Sequence, residues 1–366
     1  MQKKVILIYP YYIGISGAYN RYLLLKKLIE KAGFNVKLIL FNDRKFNSNF
    51  TKLIYKLIRF IKVEFLIFFY SACKNSYLIT DFNPSIVALF SKNVLIQIHD
   101  VSWENKNFMR HNFFSYRIFK IFIKYYSKII TVSKTSSEAI KKVSGRKKEV
   151  FLLYNSVSEK YIKESNKIGN ENLFISNTNN LKMINRSLPN ILYIATLIPR
   201  KGHLDLLEAL SKTECLLNIN LVGLPTDKKI LKLIQTKKTS NGNIIKSNIN
   251  YFSKLSQREL CNLLIYSSAY ISTSLNEGFG IPALEAKLYK TPLIIRDLDI
   301  NRELFPEARF FESTSQLANL LSTVKPISKF EIEYKRKIAS NINEDNISDL
   351  FNYSNLSNEL KNNILN

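Results

Sequence analysis

The feature that most limits how this chain can fold is a pattern of short apolar runs separated by helical spacings, written twice. Residues 5–9, 36–41, 77–80, 94–98, 129–132 and 150–153 read as buried strands bounded by turn residues. Between them, residues 18–32 have helical spacing at Tyr22, Leu25, Leu28 and Ile29, and Gly33 is placed to cap that helix. Residues 85–90 and 136–143 read as shorter helices. The pattern restarts after about residue 188, with strands over 191–195, 219–222, 249–252, 269–273 and 292–295 and a helix over 204–210. Ser256-Gln257-Arg258-Glu259 is a capping box opening a helix through Leu264. Strands that are apolar along their whole length, alternating with helices, need cover on both faces, which predicts parallel sheets.

The predicted fold class is therefore α/β, with two Rossmann-like doubly wound parallel-sheet domains facing across a cleft. A length of 366 residues suits two domains. The expected boundaries are 1–160 for the first domain, 161–188 for a linker with a floppy insert, and 189–340 for the second domain. The linker assignment rests on the Asn, Ser and Lys content of residues 158–189 and their weak periodicity. Residues 341–366 read as a C-terminal helix packing back on the first domain, from the spacing of Ile347, Leu350, Phe351, Leu356, Leu360 and Ile364. No 20–50-residue repeat is visible. A ligand site is expected at the facing strand ends.

Charge narrows the ligand. There are 54 basic and 29 acidic residues, a formal net charge of +25. Such a field attracts nucleic acid, anionic lipid surfaces or phosphorylated substrates. Cys73, Cys215 and Cys261 are far apart and form no CxxC pair, so a reducing compartment and no disulfide framework are expected. The apolar run after Met1-Gln2-Lys3-Lys4 is too short for a signal sequence, and Pro10 ends it. No apolar stretch approaches the roughly 20 residues of a spanning helix, so a soluble or surface-bound protein is expected.

The chemistry concentrates in a few segments. In Asn276-Glu277-Gly278-Phe279-Gly280-Ile281-Pro282-Ala283-Leu284-Glu285-Ala286, two carboxylates flank two glycines and a proline placed for a helix start. The glycines allow close backbone approach, and the first-turn N–H groups attract anions. Carboxylates for hydroxyls beside amides for phosphate suit a sugar nucleotide, although Glu near a helix N-terminus also stabilises the helix dipole with no ligand. In Ile194-Ala195-Thr196-Leu197-Ile198-Pro199-Arg200-Lys201-Gly202-His203, adjacent cations precede a helix, as a diphosphate clamp or as a solvated basic loop. The Tyr11–Tyr19 loop is rich in small residues and contains Gly17, yet it is no GxGxxG and lacks the acidic partner of a dinucleotide site. His99-Asp100 closes a strand and is placed to meet a ligand or a structural partner. With only His99, His111 and His203 available, a histidine metal centre is not expected. Asp297-Leu298-Asp299 is read as a coincidental DxD rather than a metal site. Residues 52–74 mix Lys52, Lys56, Arg59 and Lys62 with aliphatic and aromatic residues, either as an interfacial membrane helix or as an ordinary domain helix.

These segments resemble the family 4 retaining glycosyltransferases, the "glycosyl transferase group 1" domain. Glu277 and Glu285 resemble its E-x7-E element, and Thr196–Gly202 resembles its G-T-L-x-P-R-K loop. Thr131-Val132-Ser133, Tyr154-Asn155-Ser156-Val157, His99-Asp100 and Arg302-Glu303 resemble its shorter motifs. The likeness is specific from about 190 to 312 and looser over 1–157. Ala195 and Ser156 stand where the family usually has Gly, and the stretch after Glu303 departs from its pattern.

The resemblance implies a GT-B fold, a first domain for the acceptor and a second for the nucleotide sugar. It implies that Arg200 and Lys201 hold the diphosphate, that Glu277 meets the transferred sugar and Glu285 the ribose. The amides of Phe279, Gly280 and Ile281, with Leu284 beside them, would complete the donor site, and Gly17 would let the first loop close. His99 and Glu277 are the expected catalytic residues, and Asp100, Ser133 and Asn155 the expected acceptor contacts. Fixed cations would replace a metal, so no metal or other cofactor is expected. The expected reaction moves a hexose or deoxyhexose, with retention, to a surface glycan of lipopolysaccharide, O-antigen or capsule type on a lipid carrier. The expected location is cytoplasmic, peripheral on the inner face of the plasma membrane, with an anionic membrane surface as partner and no nucleic acid. A nucleotide-sugar 2-epimerase of the same shape and a basic nucleic-acid binder are the rival readings. The first would need more cleft histidines, and the second exposed basic aromatic platforms.

Overall fold

The computed structural model describes residues 4–12, 17–31, 33–41, 49–73, 76–81, 85–99, 120–170 and 187–343. The chain forms two compact units, one built on Met1–Ser156 and the other on Val157–Ile347. The expected tail helix, His111, Asp100 and the loop residues 13–16 lie outside the described residues.

The first unit contains β1 (Lys4–Tyr12), α1 (Gly17–Lys31), β2 (Asn35–Phe41), α2 (Asn49–Ser71), β3 (Ser76–Asp81), α3 (Ile86–Phe90), β4 (Val94–Ile98), β5 (Lys128–Thr131), α4 (Lys134–Ser144) and β6 (Val150–Leu152). Residues 120–125 are also helical. Its six strands lie in the order β2-β1-β3-β4-β5-β6, all parallel. Ile6, Ile8, Leu78, Ile96 and Ile129 meet Val63 and Ile67 of α2 in one core. This explains why these strands read as unbroken apolar runs: both faces are covered. Gly33, at φ 89°, ends α1, and its N–H donates to Glu30 O at 3.0 Å. Ser133 caps α4 by accepting from Ser136 N.

Helix α2 has two apolar faces. At about 100° per residue, Val63 and Ile67 point one way, into the core. Ile54, Leu57, Ile58, Ile61, Phe65, Phe68 and Phe69 fall on the opposite side and are exposed. On the adjoining α3, Ile86 and Phe90 are exposed too, and Val87 N donates to Glu64 of α2. No helix among the described residues is long and apolar enough to cross a membrane.

The second unit contains α5 (Glu159–Asn170), β7 (Asn190–Ile194), α6 (His203–Lys212), β8 (Asn218–Val222), α7 (Lys228–Thr236), β9 (Asn248–Phe252), α8 (Gln257–Tyr266), β10 (Ala269–Ser272), α9 (Ile281–Leu288), β11 (Leu293–Arg296), α10 (Asp299–Leu304), β12 (Arg309–Phe311), α11 (Thr314–Ser322) and α12 (Lys329–Ser340). Its parallel sheet has the order β12-β11-β10-β7-β8-β9. The chain winds outward from β7 to β9, crosses back to β10 beside β7, and winds outward again. The β7–β10 junction is therefore the topological switch point, where ligands of such sheets bind. At the other end of the strands, an amide ladder ties three of them: Asn218 Nδ2 donates to Asn190 Oδ1 at 2.6 Å, and Asn250 Nδ2 to Asn218 Oδ1 at 3.1 Å. Such a ladder pins register, because a one-residue slip would move every amide to the other face.

One expectation is corrected in part. Residues 159–170, inside the stretch read as a floppy connection, form helix α5, packed against α8 and α12. Tyr161, Ser165 and Ile168 recur at helical spacing and are buried. The polar composition concealed a narrow packing stripe. The residues that follow, 171–186, lie outside the described set.

Candidate functional site

Two loops leave the switch point of the second unit. After β7, residues 199–201 make a single 3-10 turn, and Gly202 follows at φ 64°. A Cβ there would lie 2.1 Å from Thr273 O, so only glycine lets this loop pass the end of β10. After β10, the chain runs through Glu277 to Gly280, which starts α9 at φ 83°. No side chain caps that helix end. Its first-turn N–H groups are the type that satisfies an anion.

The loops are bonded to each other. Leu275 N donates to Arg200 O at 2.9 Å, and Arg200 Nη1 donates to Asn276 O at 2.9 Å. Thr273 Oγ1 donates to Gly202 O at 2.8 Å. Tyr193, buried in β7, donates its hydroxyl to Lys201 O. Burial pushes this phenol up to about 12, so it remains a donor at neutral pH. Lys201 Nζ meets Glu277 Oε1 at 2.5 Å, with both side chains largely shielded from solvent. Of the expected donor residues, Arg200, Lys201 and Glu277 thus meet at one strand junction, and Gly280 follows them at the start of α9.

Glu285 stands one turn into α9. Among the described residues, no cation or hydrogen-bond donor meets its carboxylate. Burial alone pushes it up from 4.5 to about 8. Phe279 and Leu284 beside it are buried, and Ile281 is half-buried. Tyr161 of α5 donates to Glu285 O at 3.0 Å, which fixes this turn of α9 from behind. His203, at the start of α6, is buried against the Tyr193 ring. Burial and the neighbouring Lys201 charge push its imidazole down to about 4.

The Asp297-Leu298-Asp299 stretch is engaged structurally. Arg302 takes Asp297 in a two-toothed grip, and Asp299 opens α10. Among the described residues, no three His, Cys, Asp or Glu side chains are grouped to hold a metal ion.

In the first unit, His99 follows β4, and its Nε2 lies 2.9 Å from Asp81 Oδ1. Tyr22 OH donates to the same oxygen at 3.0 Å. Asp81 is buried at the end of β3, next to β4, while the His99 side chain keeps 28% exposure. The carboxylate holds one ring nitrogen, and among the described residues no hydrogen bond is made to the other. Asp81 carried no signal in the sequence beyond its place at a strand end. Of the expected acceptor contacts, Ser133 is fully buried as a helix cap, and Asn155 accepts from Arg21 Nη1 at 2.7 Å. Arg21 also reaches Gln97 Oε1 and Leu153 O, joining α1 to the strand ends. Gly17 opens α1.

Two doubly wound parallel-sheet units, with cations, carboxylates and an uncapped helix at a switch point, define an α/β protein of the GT-B class. Residues 180–355 match the family described as "Glycosyl transferases group 1". It is 28% identical over 143 residues to the serotype-specific mannosyltransferase WbdA of Escherichia coli, covering 37% of this chain and 17% of WbdA. It is 22% identical over 247 residues to the O-antigen chain mannosyltransferase RfbU of Salmonella typhimurium, covering 65% of this chain and 62% of RfbU. The matched stretch is thus a small part of WbdA and under two thirds of RfbU. The fold is also that of WaaG, a glycosyltransferase involved in lipopolysaccharide biosynthesis, with TM-score 0.66 and 15% identity over 96% of this chain and 99% of that one.

Proposed function

We propose that this protein is a retaining, metal-independent glycosyltransferase that moves a hexose from a nucleoside-diphosphate sugar to a surface glycan on a lipid carrier. The observation that carries the reading is the Lys201–Glu277 pair at the switch point, beside the uncapped start of α9. A donor diphosphate would draw Lys201 and Arg200 to its oxygens and use the helix-end amides. Releasing Lys201 would free Glu277 for hydroxyls of the sugar. Glu285, with no partner among the described residues, suits the two hydroxyls of a ribose. Charge developing on the leaving diphosphate would then face fixed cations and dipoles, which do not reorganise during the reaction. The cations do the work that a divalent ion does elsewhere. His99, oriented by Asp81, serves the acceptor side, and a leaving phosphate oxygen that takes the acceptor proton gives retention. The mannosyltransferase relatives favour mannose as the sugar and an O-antigen-type glycan as the acceptor.

The reading includes a peripheral position on an anionic membrane surface, on the cytoplasmic side. The exposed apolar face of α2 and the net charge of +25 support it. Nucleic acid is not assigned as a partner.

A thermal-shift screen with nucleoside diphosphates and their sugars tests the donor site. A ligand at 100 times its Kd adds about 2.7 kcal/mol of stability. The shift is expected to persist in EDTA and to vanish in Glu285→Ala. A shift that needs Mg²⁺ would remove metal independence, and no shift with any nucleotide would remove the donor site. Anomeric NMR of the product decides retention.

A further inference from the structure

The turn that carries Lys201 is held from both strands of the switch point. Lys201 N donates to Ile198 O at 3.0 Å and Gly202 N to Pro199 O at 2.9 Å, which closes the turn from within. From outside, Leu275 N donates to Arg200 O at 2.9 Å and Thr273 Oγ1 to Gly202 O at 2.8 Å, both from the chain that leaves β10. Lys201 O accepts from the Tyr193 hydroxyl of β7. Thr273 Oγ1 also lies 3.1 Å from Lys201 O. A threonine hydroxyl has one proton and cannot serve both carbonyls fully. The shorter contact assigns that proton to Gly202 O, so Tyr193 is the main donor to Lys201 O. A row of hydroxyls stands behind it: Ser272 Oγ donates to Ser274 Oγ at 3.3 Å, and Ser274 Oγ lies 3.3 Å from the phenol oxygen. Each bond in such a row polarises the next.

Packing alone does not call for that hydroxyl. The Tyr193 ring is buried in the core of the second unit, with its centroid 4.9 Å from that of His203, and a phenylalanine ring would fill the same space. The oxygen adds a buried polar group that must find a partner, and it finds the carbonyl of Lys201. The Lys201 ammonium is a point charge on a flexible stem, and it meets Glu277 at 2.5 Å. Where such a charge can reach depends on how firmly its own backbone is held.

We propose that Tyr193 is a positioning residue for the donor diphosphate: its hydroxyl fixes the backbone of Lys201, and so the point from which the ammonium meets the phosphate oxygens. The proposal rests on the glycosyltransferase reading for the identity of the ligand, while the brace on Lys201 stands on the geometry. Tyr193 acts through Lys201 and is not itself catalytic.

Tyr193→Phe, which keeps the ring and removes the oxygen, tests it with two readouts on the full-length protein. Amide hydrogen exchange without ligand, read by mass spectrometry, should quicken about fivefold over residues 199–203 and stay unchanged in β8 and β9. Titration with whichever of UDP, GDP, ADP, CDP and dTDP binds the unaltered protein should show an affinity loss of about fivefold, the worth of one hydrogen bond. In a Lys201→Met background the same substitution should change that affinity by less than about twofold, because its effect runs through the missing ammonium. A general loosening of the site would still cost affinity there, since Arg200 and the helix-end amides would move as well. Unchanged exchange over 199–203 overturns the proposal. So does unchanged nucleotide affinity, or a loss that persists in full in Lys201→Met. Faster exchange in a protein that binds none of the five nucleotides would sink the donor reading and leave the brace on Lys201 standing.

Discussion

Glu285 shows most sharply what a single residue contributes. A carboxyl with no partner among the described residues and in buried surroundings holds its proton, and burial pushes it up to about 8 against 4.5. The folded chain therefore binds that proton more tightly than the unfolded chain. Between pH 4.5 and 8 the folded state carries more protons, so stability falls as pH rises through this window. Glu285→Gln should flatten that slope and raise stability at pH 8.5 relative to the unaltered protein, as read by urea unfolding at pH 5 and 8.5. At pH 8.5, where the carboxyl is ionised, the same substitution should weaken nucleotide binding, since an amide accepts hydroxyl donors less strongly than a carboxylate. Lys201 carries a different cost. Lys201→Ala leaves Glu277 shielded and unpaired, which should cost about 1–3 kcal/mol of stability. It should also weaken nucleotide binding at least tenfold in a thermal-shift titration. A variant that keeps full nucleotide affinity would show that Lys201 serves the fold alone.

At the scale of elements, the site depends on where two loops are allowed to run. Gly202 passes against Thr273 at the end of β10 in a left-handed conformation. Gly202→Ala combines a positive φ with a backbone clash and should destabilise the chain by about 1–3 kcal/mol or more, measured by urea unfolding. Nucleotide binding should fall with it, because the displaced loop carries Arg200 and Lys201. Behind α9, helix α5 supplies Tyr161 to Glu285 O. Lys335 of α12 is buried and donates to Leu264 O, Ser267 O and Thr291 Oγ1, tying α12 to the end of α8. Some of these elements were legible in advance. The Ser256–Glu259 capping box opens α8, and Gly33 ends α1. Ser313 with Gln316 and Ser328 with Glu331 mark α11 and α12 in the same way, although their weak apolar periodicity hid them. Helix α5 was hidden because its buried stripe is narrow and its exposed face is polar.

For the whole molecule, the two units each have their own core. Calorimetry should resolve two unfolding transitions, and a nucleoside diphosphate should raise only the one belonging to the Val157–Ile347 unit. A single transition that shifts as a whole would show the units to be energetically coupled. The net charge of +25 acts at this scale as well. Binding to anionic vesicles should weaken steeply as salt rises from 0.05 to about 0.5 M, because the Debye length falls from over 10 Å to a few ångströms. Lys62→Glu with Arg59→Glu should weaken it further in a vesicle sedimentation assay. Vesicle binding insensitive to both would leave α2 a purely structural helix.

The sequence by itself determined every described strand but β12, their parallel pairing and the presence of an amide-rich helix start beside two carboxylates. Those properties are local: apolar runs, glycines and a proline act within a few residues of themselves. Only the tertiary structure decided that β10 lies against β7, and hence that Lys201 meets Glu277 across 76 residues of chain. It also decided that Asp81 holds His99, that Ser133 caps α4 while Asn155 accepts from Arg21, and that Glu285 is left with no partner among the described residues. Contacts between distant segments depend on strand order, and strand order is set by how helices cover both faces of a sheet, which no local pattern records.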